Sequence, residues 1–283
     1  MQALKGTATA AAIREQIVRD VTALAAQGVR VQLAVMRVGE RPDDVAYENS
    51  VIKKCVQAQI VCRQVVLPAD STTQRCMQAM RQLSEDMSVH GILLLRPLPE
   101  HIDEEAVIAQ MDADKDIDGM TPVSLAKVFM GDTSGFAPCT AEAVLRILRH
   151  EQISIAGREA VVVGRSLVVG RPVAMMLLKE NATVTLCHTR TQGLAQVCRR
   201  ADILVAAAGQ RKMIDGSHVK PGAVVCDVGI HVDDDGRLCG DVDALRAQHA
   251  AKITPVPGGV GNVTSWLLIE HVVRAAQRMR EGE

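Results

Sequence analysis

Apolar positions recur along the chain with two alternating periods. Ile13, Ile17, Val21 and Leu24 are spaced as one face of a helix ending at Gly28, and Val31 to Gly39 then reads as a strand. Polar residues 40–44 lead into a predicted helix over 45–58, a strand at Val61–Leu67, a helix opening near the caps Ser71 to Thr73, and a strand at Gly91–Leu95. A second series begins with a strand from Glu159 to Gly164 and continues with strands at Thr183–Cys187, Ile203–Ala207 and Ala223–Val228. Thr264 to Arg280 reads as one long amphipathic helix that could return to brace the first domain. This alternation predicts an α/β fold with parallel sheets and helices on their faces. Residues 131–139 form the clearest polar, glycine-containing break, followed by a linking helix near 140–150. The predicted domains are residues 1–138 with 264–283, and residues 139–263.

At 283 residues the chain can fill two ordinary cores. Its 32 basic and 33 acidic residues leave no electrostatic footprint for nucleic acid or an anionic membrane, so the expected partner is a small molecule. No run approaches the roughly 18 apolar residues of a membrane span, and the first residues lack the sections of a signal peptide, which points to the cytoplasm. Eight cysteines form no CxxC pair and read as buried thiols, while the eight histidines show no HExxH spacing, so no metal is expected. Aromatics are scarce, and the lone Tyr47 lies in a polar segment where core packing does not explain it.

Gly164-Arg-Ser-Leu-Val-Val-Gly170-Arg-Pro172 follows a buried strand and opens a helix, the place where a dinucleotide-binding fold offers backbone N–H groups to phosphate. Its glycines are six residues apart, not in the GxGxxG pattern, so taken alone it also fits an ordinary strand-to-helix turn. Arg165 and Arg171 favour phosphate. The next strand ends in Cys187-His-Thr-Arg-Thr191, with no carboxylate to accept ribose hydroxyls, which favours NADP over NAD. Thr189 can hydrogen-bond a 2′-phosphate, with Arg165 or Arg190 supplying charge.

Six segments together resemble the methylenetetrahydrofolate dehydrogenase/cyclohydrolase family. They are Val38-Gly-Glu through Tyr47, Arg96-Pro-Leu-Pro99, Lys115-Asp-Ile-Asp-Gly119, Val163 through Gly170, Ala182 through His188, and Pro255-Val-Pro-Gly-Gly-Val-Gly261, in the family's order across nearly the whole chain. The resemblance implies an N-terminal folate domain completed by the C-terminal helix, a Rossmann-like NADP-binding domain, a cleft between them and a homodimer. It implies hydride transfer from 5,10-methylenetetrahydrofolate to NADP, then hydration of the methenyl product. It makes Tyr47 the tyrosine that packs on the folate and Asp118 the carboxylate that grips the pterin amino-pyrimidine edge; the bland readings are a surface helix residue and a turn cap. Val51, Leu95, Pro257, Gly258 and Gly259 fall at substrate-site positions, and Gly164, Arg165, Ser166, Gly170, Thr189 and Ile230 at cofactor positions.

Departures from the family pattern concern the second reaction. Where the family has Tyr-x-x-x-Lys, this chain reads Tyr47-Glu-Asn-Ser-Val51, and Leu95 replaces the glutamine that hydrogen-bonds that lysine. Both halves of one polar pair are absent, and valine cannot transfer a proton. Lys53 is roughly 200° from Val51 on a helix, whereas Lys54 shares the face of Tyr47 and is the one local candidate to replace the lysine. Cys139 to Ala143 and Asn262 also depart from the pattern. The reading is an NADP-dependent methylenetetrahydrofolate dehydrogenase with weak or absent cyclohydrolase activity. Its rivals are a bifunctional enzyme that uses Lys54 or a rearranged cleft, and a silent folate- or nucleotide-binding homologue.

Overall fold

The structure, a computed structural model, describes residues 1–282. In chain order it comprises β1 (Gln2–Ala3), α1 (Gly6–Ala26), β2 (Gln32–Val38), α2 (Pro42–Gln57), β3 (Val61–Leu67), α3 (Thr73–Glu85), β4 (Gly91–Leu94), α4 (Glu104–Ile108), α5 (Pro122–Met130) and α6 (Cys139–His150). There follow β5 (Glu159–Val163), α7 (Gly170–Lys179), β6 (Thr183–Cys187), α8 (Leu194–Cys198), β7 (Ile203–Ala206), β8 (Val224–Asp227), β9 (His231–Val232), β10 (Leu238–Cys239), β11 (Lys252–Ile253) and α9 (Val260–Glu281). By contact density the chain divides into two compact units. One holds residues 12–127, 133–137 and 265–283; the other holds 1–11, 128–132 and 138–264.

The first unit is built on a three-stranded parallel sheet ordered β3-β2-β4. The central strand β2, Gln-Leu-Ala-Val-Met-Arg-Val, is buried almost throughout, as a parallel strand covered on both faces must be. Of the two edge strands, β3 is buried only in patches, whereas β4 is buried throughout. Pro42 starts α2 with its φ already set, and Asp43 and Asp44 lie in the first turn, where the helix dipole favours negative charge. Thr72 caps α3 by accepting from the Arg75 N–H at 3.2 Å. Ala34, Met36, Met80, Leu83, Ile92, Leu94 and Val107 belong to one core.

The second unit has a six-stranded sheet ordered β1-β11-β8-β7-β5-β6, with every pair parallel. β5 is flanked by its successor β6 on one side and by β7 on the other, so the chain leaves it in opposite directions. In open α/β sheets that switch point leaves a crevice at the carboxyl ends of the strands. The sequence placed residues 1–11 with the first domain; Gln2 and Ala3 instead pair with Lys252 and Ile253, adding an edge strand to this sheet. The β9–β10 hairpin, antiparallel around Asp233-Asp-Asp-Gly236, was not anticipated either. Among the described residues no helix is long and apolar enough to cross a membrane.

Candidate active site

In the first unit, a cavity of about 310 Å³ is lined by Arg41, Asp43, Asp44 and Tyr47 from the start of α2, by Leu93, Leu94, Leu95 and Arg96 at the end of β4, and by Asp118. The loop that carries Asp118 is anchored by its neighbours. Lys115 is buried and donates its ammonium protons to the Ser84 carbonyl at 2.6 Å and the Asp86 carbonyl at 2.8 Å, closing the end of α3. Burial lowers its pKa. The fully buried Asp116 carboxylate accepts from the N–H groups of Met120, at 3.0 Å, and Thr121, at 2.7 Å. Gly119 takes φ +65°, a left-handed conformation that glycine adopts without strain. Within Lys115-Asp-Ile-Asp-Gly119, the first two charged residues therefore serve the loop, and Asp118 after them reaches the cavity.

On α2, Tyr47 is 39% exposed, while Val51, one turn later, is 2% exposed on the inner face with Glu48 and Cys55. Beneath that face the Glu48 carboxylate accepts from Arg37 Nε of β2 at 2.8 Å; Arg37 also donates to the Gly39 carbonyl. Leu95 is 5% exposed and lines the cavity. Lys54 is half-buried, its ammonium lies 3.2 Å from Ser50 Oγ, and burial lowers its pKa. It is not among the residues lining the cavity with Tyr47. Its ammonium reaches back one turn to Ser50.

In the second unit, a cavity of about 400 Å³ opens at the switch point, lined by the residues that follow three neighbouring strands. Gly164, Arg165 and Ser166 follow β5; His188, Thr189 and Thr191 follow β6; Ala207, Ala208 and Gln210 follow β7. Gly164 has φ +125°, and a Cβ there would collide with the Ala207 carbonyl oxygen, so the two loops touch backbone to backbone. A Cβ on Gly170 would collide with the Gly164 carbonyl oxygen, which explains the six-residue glycine spacing. Ser166 Oγ accepts from the Val169 N–H at 3.1 Å at the entry to α7. No Asp or Glu is among the lining residues. A backbone cradle at a helix N-terminus with Arg165 and Thr189 beside it fits the phosphates of a dinucleotide, including a 2′-phosphate.

Of the remaining sequence candidates, Arg190 and Ile230 do not line this cavity; Ile230 is 65% exposed after β8, and Arg190 donates its N–H to His188 Nδ1. Pro257, Gly258 and Gly259 belong to this second unit, where the Gly6 N–H bonds the Gly258 carbonyl at 3.0 Å. Asn262 donates its N–H to the Gly259 carbonyl at 3.2 Å, a bond the family's proline could not make. Sequence reading missed Asp227 and Asp241, both buried and both accepting backbone N–H groups. Burial raises the Asp227 pKa to about 6 against three backbone donors that lower it. Two acids so close to the exposed Asp234 and Asp235 read as one more polar loop, and only contacts separate them.

Residues 4–118 match the family described as tetrahydrofolate dehydrogenase/cyclohydrolase, catalytic domain, and residues 138–280 match its NAD(P)-binding domain. The chain is 48% identical to bifunctional protein FolD 1 of Desulfitobacterium hafniense (strain Y51), over 98% of this chain and 99% of that one. The crystal structure of the bifunctional FolD methylenetetrahydrofolate dehydrogenase/cyclohydrolase of Campylobacter jejuni superposes with a TM-score of 0.96, at 37% identity, covering 98% of this chain and 99% of that one. The Trypanosoma brucei methylenetetrahydrofolate dehydrogenase-cyclohydrolase, complexed with NADP cofactor and inhibitor, gives 0.90 at 35% identity, covering 98% and 97%.

Proposed function

The chain belongs to the tetrahydrofolate dehydrogenase/cyclohydrolase family, and from that premise we propose that it is an NADP-dependent 5,10-methylenetetrahydrofolate dehydrogenase whose cyclohydrolase activity is weak or absent. One observation carries the second half: Leu95 stands in the wall of the cavity that holds Tyr47 and Asp118, and Val51 is buried one turn after Tyr47. The family's proton-transfer pair is replaced by two hydrocarbon side chains.

The two reactions ask different things of the protein. Bound NADP supplies a nicotinamide that accepts a hydride. The substrate's own nitrogen lone pair stabilises the cation left behind, so the protein's task in the first step is to hold and orient. Asp118 suits the amino-pyrimidine edge, where a carboxylate takes charge-assisted N–H bonds, and Tyr47 offers a ring to stack on and a hydroxyl near the reacting centre. Gly164 to Ser166, Gly170 and Thr189 are the binding groups for the dinucleotide phosphates. Hydration of the methenyl product also needs a group that moves a proton at the attacking water. The lining offers guanidinium, carboxylate and phenol groups but no lysine, and Lys54 is held by Ser50.

A second reading keeps both activities, as the names of its relatives do, through Lys54 or a rearranged site. Homodimer assembly and cytoplasmic residence belong to the proposal and rest on resemblance to the family. The deciding experiment gives the purified protein 5,10-methylenetetrahydrofolate with NADP or NAD and follows methenyl absorbance. Separately, supplied methenyltetrahydrofolate is timed against its uncatalysed decay. Methenyl accumulation with decay at the background rate supports the proposal. Accelerated decay that Lys54→Ala abolishes establishes the second reading, and turnover of neither substrate leaves a silent binding homologue.

A further inference from the structure

The wall of the nucleotide cavity that follows β7 depends on one buried side chain far along the sequence. Ala207, Ala208 and Gln210 line the cavity. The N–H groups of Ala208 and Gly209 both donate to Asp241 Oδ2, at 2.6 and 3.0 Å. Asp241 is 0% exposed, its Oδ1 lies 2.7 Å from His231 Nε2, and its own N–H donates to Asp227 Oδ1 at 2.9 Å. Asp227 in turn takes the N–H groups of Gly229 and Val242, each at 3.0 Å. There is no slack around these carboxylates: a Cβ on Gly229 would collide with Asp241 Oδ1, and one on Gly240 with Asp227 Oδ2.

We propose that Asp241 is the positioning residue for NADP, holding the 207–210 segment at the distance from Gly164 that the cavity requires, with His231 fixing its carboxylate. The inference rests on reading this cavity as the nucleotide site. Asp241 acts through the backbone of Ala208 and Gly209. Its Oδ2 meets two backbone N–H donors, and against the carboxylate oxygen Oδ1 the imidazole Nε2 is the protonated, donating nitrogen, so all three contacts call on an acceptor. An asparagine that keeps its oxygen on the two backbone N–H groups turns an amide N–H toward Nε2, which the imidazole meets only by moving its own proton to Nδ1, and a glutamate would not fit against Gly229. Because Gly164 and Ala207 meet backbone to backbone, a shift of the 207–210 segment changes the width of the cavity directly.

The test compares Asp241→Asn, His231→Gln and His231→Leu with the unaltered protein. NADPH affinity is read by the fluorescence of the bound dihydronicotinamide, and KM is measured separately for NADP and for methylenetetrahydrofolate. The expected result is a loss in NADPH affinity of about tenfold or more for Asp241→Asn, by analogy with outer-shell groups that orient a binding site, with the folate KM within about twofold and melting still cooperative. Glutamine, which keeps an N–H donor at 231, retains most of the affinity that leucine loses. NADPH affinity unchanged in Asp241→Asn overturns the assignment. So does an equal rise in both KM values with loss of cooperative melting, which would make the residue structural only. Leucine and glutamine binding alike at 231 overturn the part given to His231. An unaltered protein that binds no NADPH overturns the nucleotide reading itself, which the wild-type curve shows before any variant is made.

Discussion

Restoring the missing pair tests the proposed loss of cyclohydrolase activity most directly. Val51→Lys with Leu95→Gln returns the lysine and glutamine of the family pattern to positions that are 2% and 5% exposed. A buried ammonium without a partner costs about 3 kcal/mol, so the single Val51→Lys variant should be visibly destabilised. Glutamine at 95 supplies an acceptor and recovers part of that cost. A positioned proton-transfer group contributes roughly 10²- to 10⁴-fold, equivalent to about 3–5 kcal/mol off the barrier. The assay is the decay of methenyltetrahydrofolate at a temperature where a melting curve shows the variant folded, with dehydrogenase turnover measured on the same sample. The double variant should hydrate at least about a hundredfold faster than its parent, the lower bound for such a group. The reasoning fails if the unaltered protein already hydrates as fast as the double variant. It also fails if the double variant keeps its dehydrogenase turnover and gains nothing.

Three further outcomes follow from the geometry. Arg37→Met leaves the Glu48 carboxylate, 1% exposed, without its guanidinium and should cost about 3–5 kcal/mol, whereas Arg37→Met with Glu48→Leu recovers most of it; denaturant midpoints decide, and a single variant within about 1 kcal/mol of the parent contradicts the claim. Gly164→Ala forces a side chain against the Ala207 carbonyl at φ +125° and should reduce NADPH affinity by more than about tenfold, a steric effect that unchanged binding would disprove. Among eight free thiols, only Cys62 and Cys239 are partly exposed, so a disulfide reagent at pH 8 should label these two first. Burial pushes the Cys198 and Cys226 thiols up to about 12, keeping them protonated there, and fast labelling of either without denaturant refutes their burial.

The sequence by itself determined the periodic framework. β3 and β6 have the ranges the apolar runs predicted, and the long final helix starts within a few residues of its expected position. Such segments are legible because burial on both faces of a parallel strand, or on one stripe of a helix, is written locally. The glycine turn after β5 was legible for the same reason: Gly164 and Gly170 belong to one strand–turn–helix unit. Short elements escaped, among them α4, α8 and the β9–β10 hairpin, since five or fewer residues carry too little periodicity. Tertiary structure alone decided that Gln2–Ala3 pair with β11, that Lys54 turns to Ser50, that Ile230 is not among the residues lining the switch-point cavity and that Asp241 bonds Ala208 and Gly209. Each depends on residues dozens to hundreds of positions apart, or on which of several side-chain rotamers the packing leaves open. A pattern of neighbours records the face a residue presents; only the folded contacts record what that face meets.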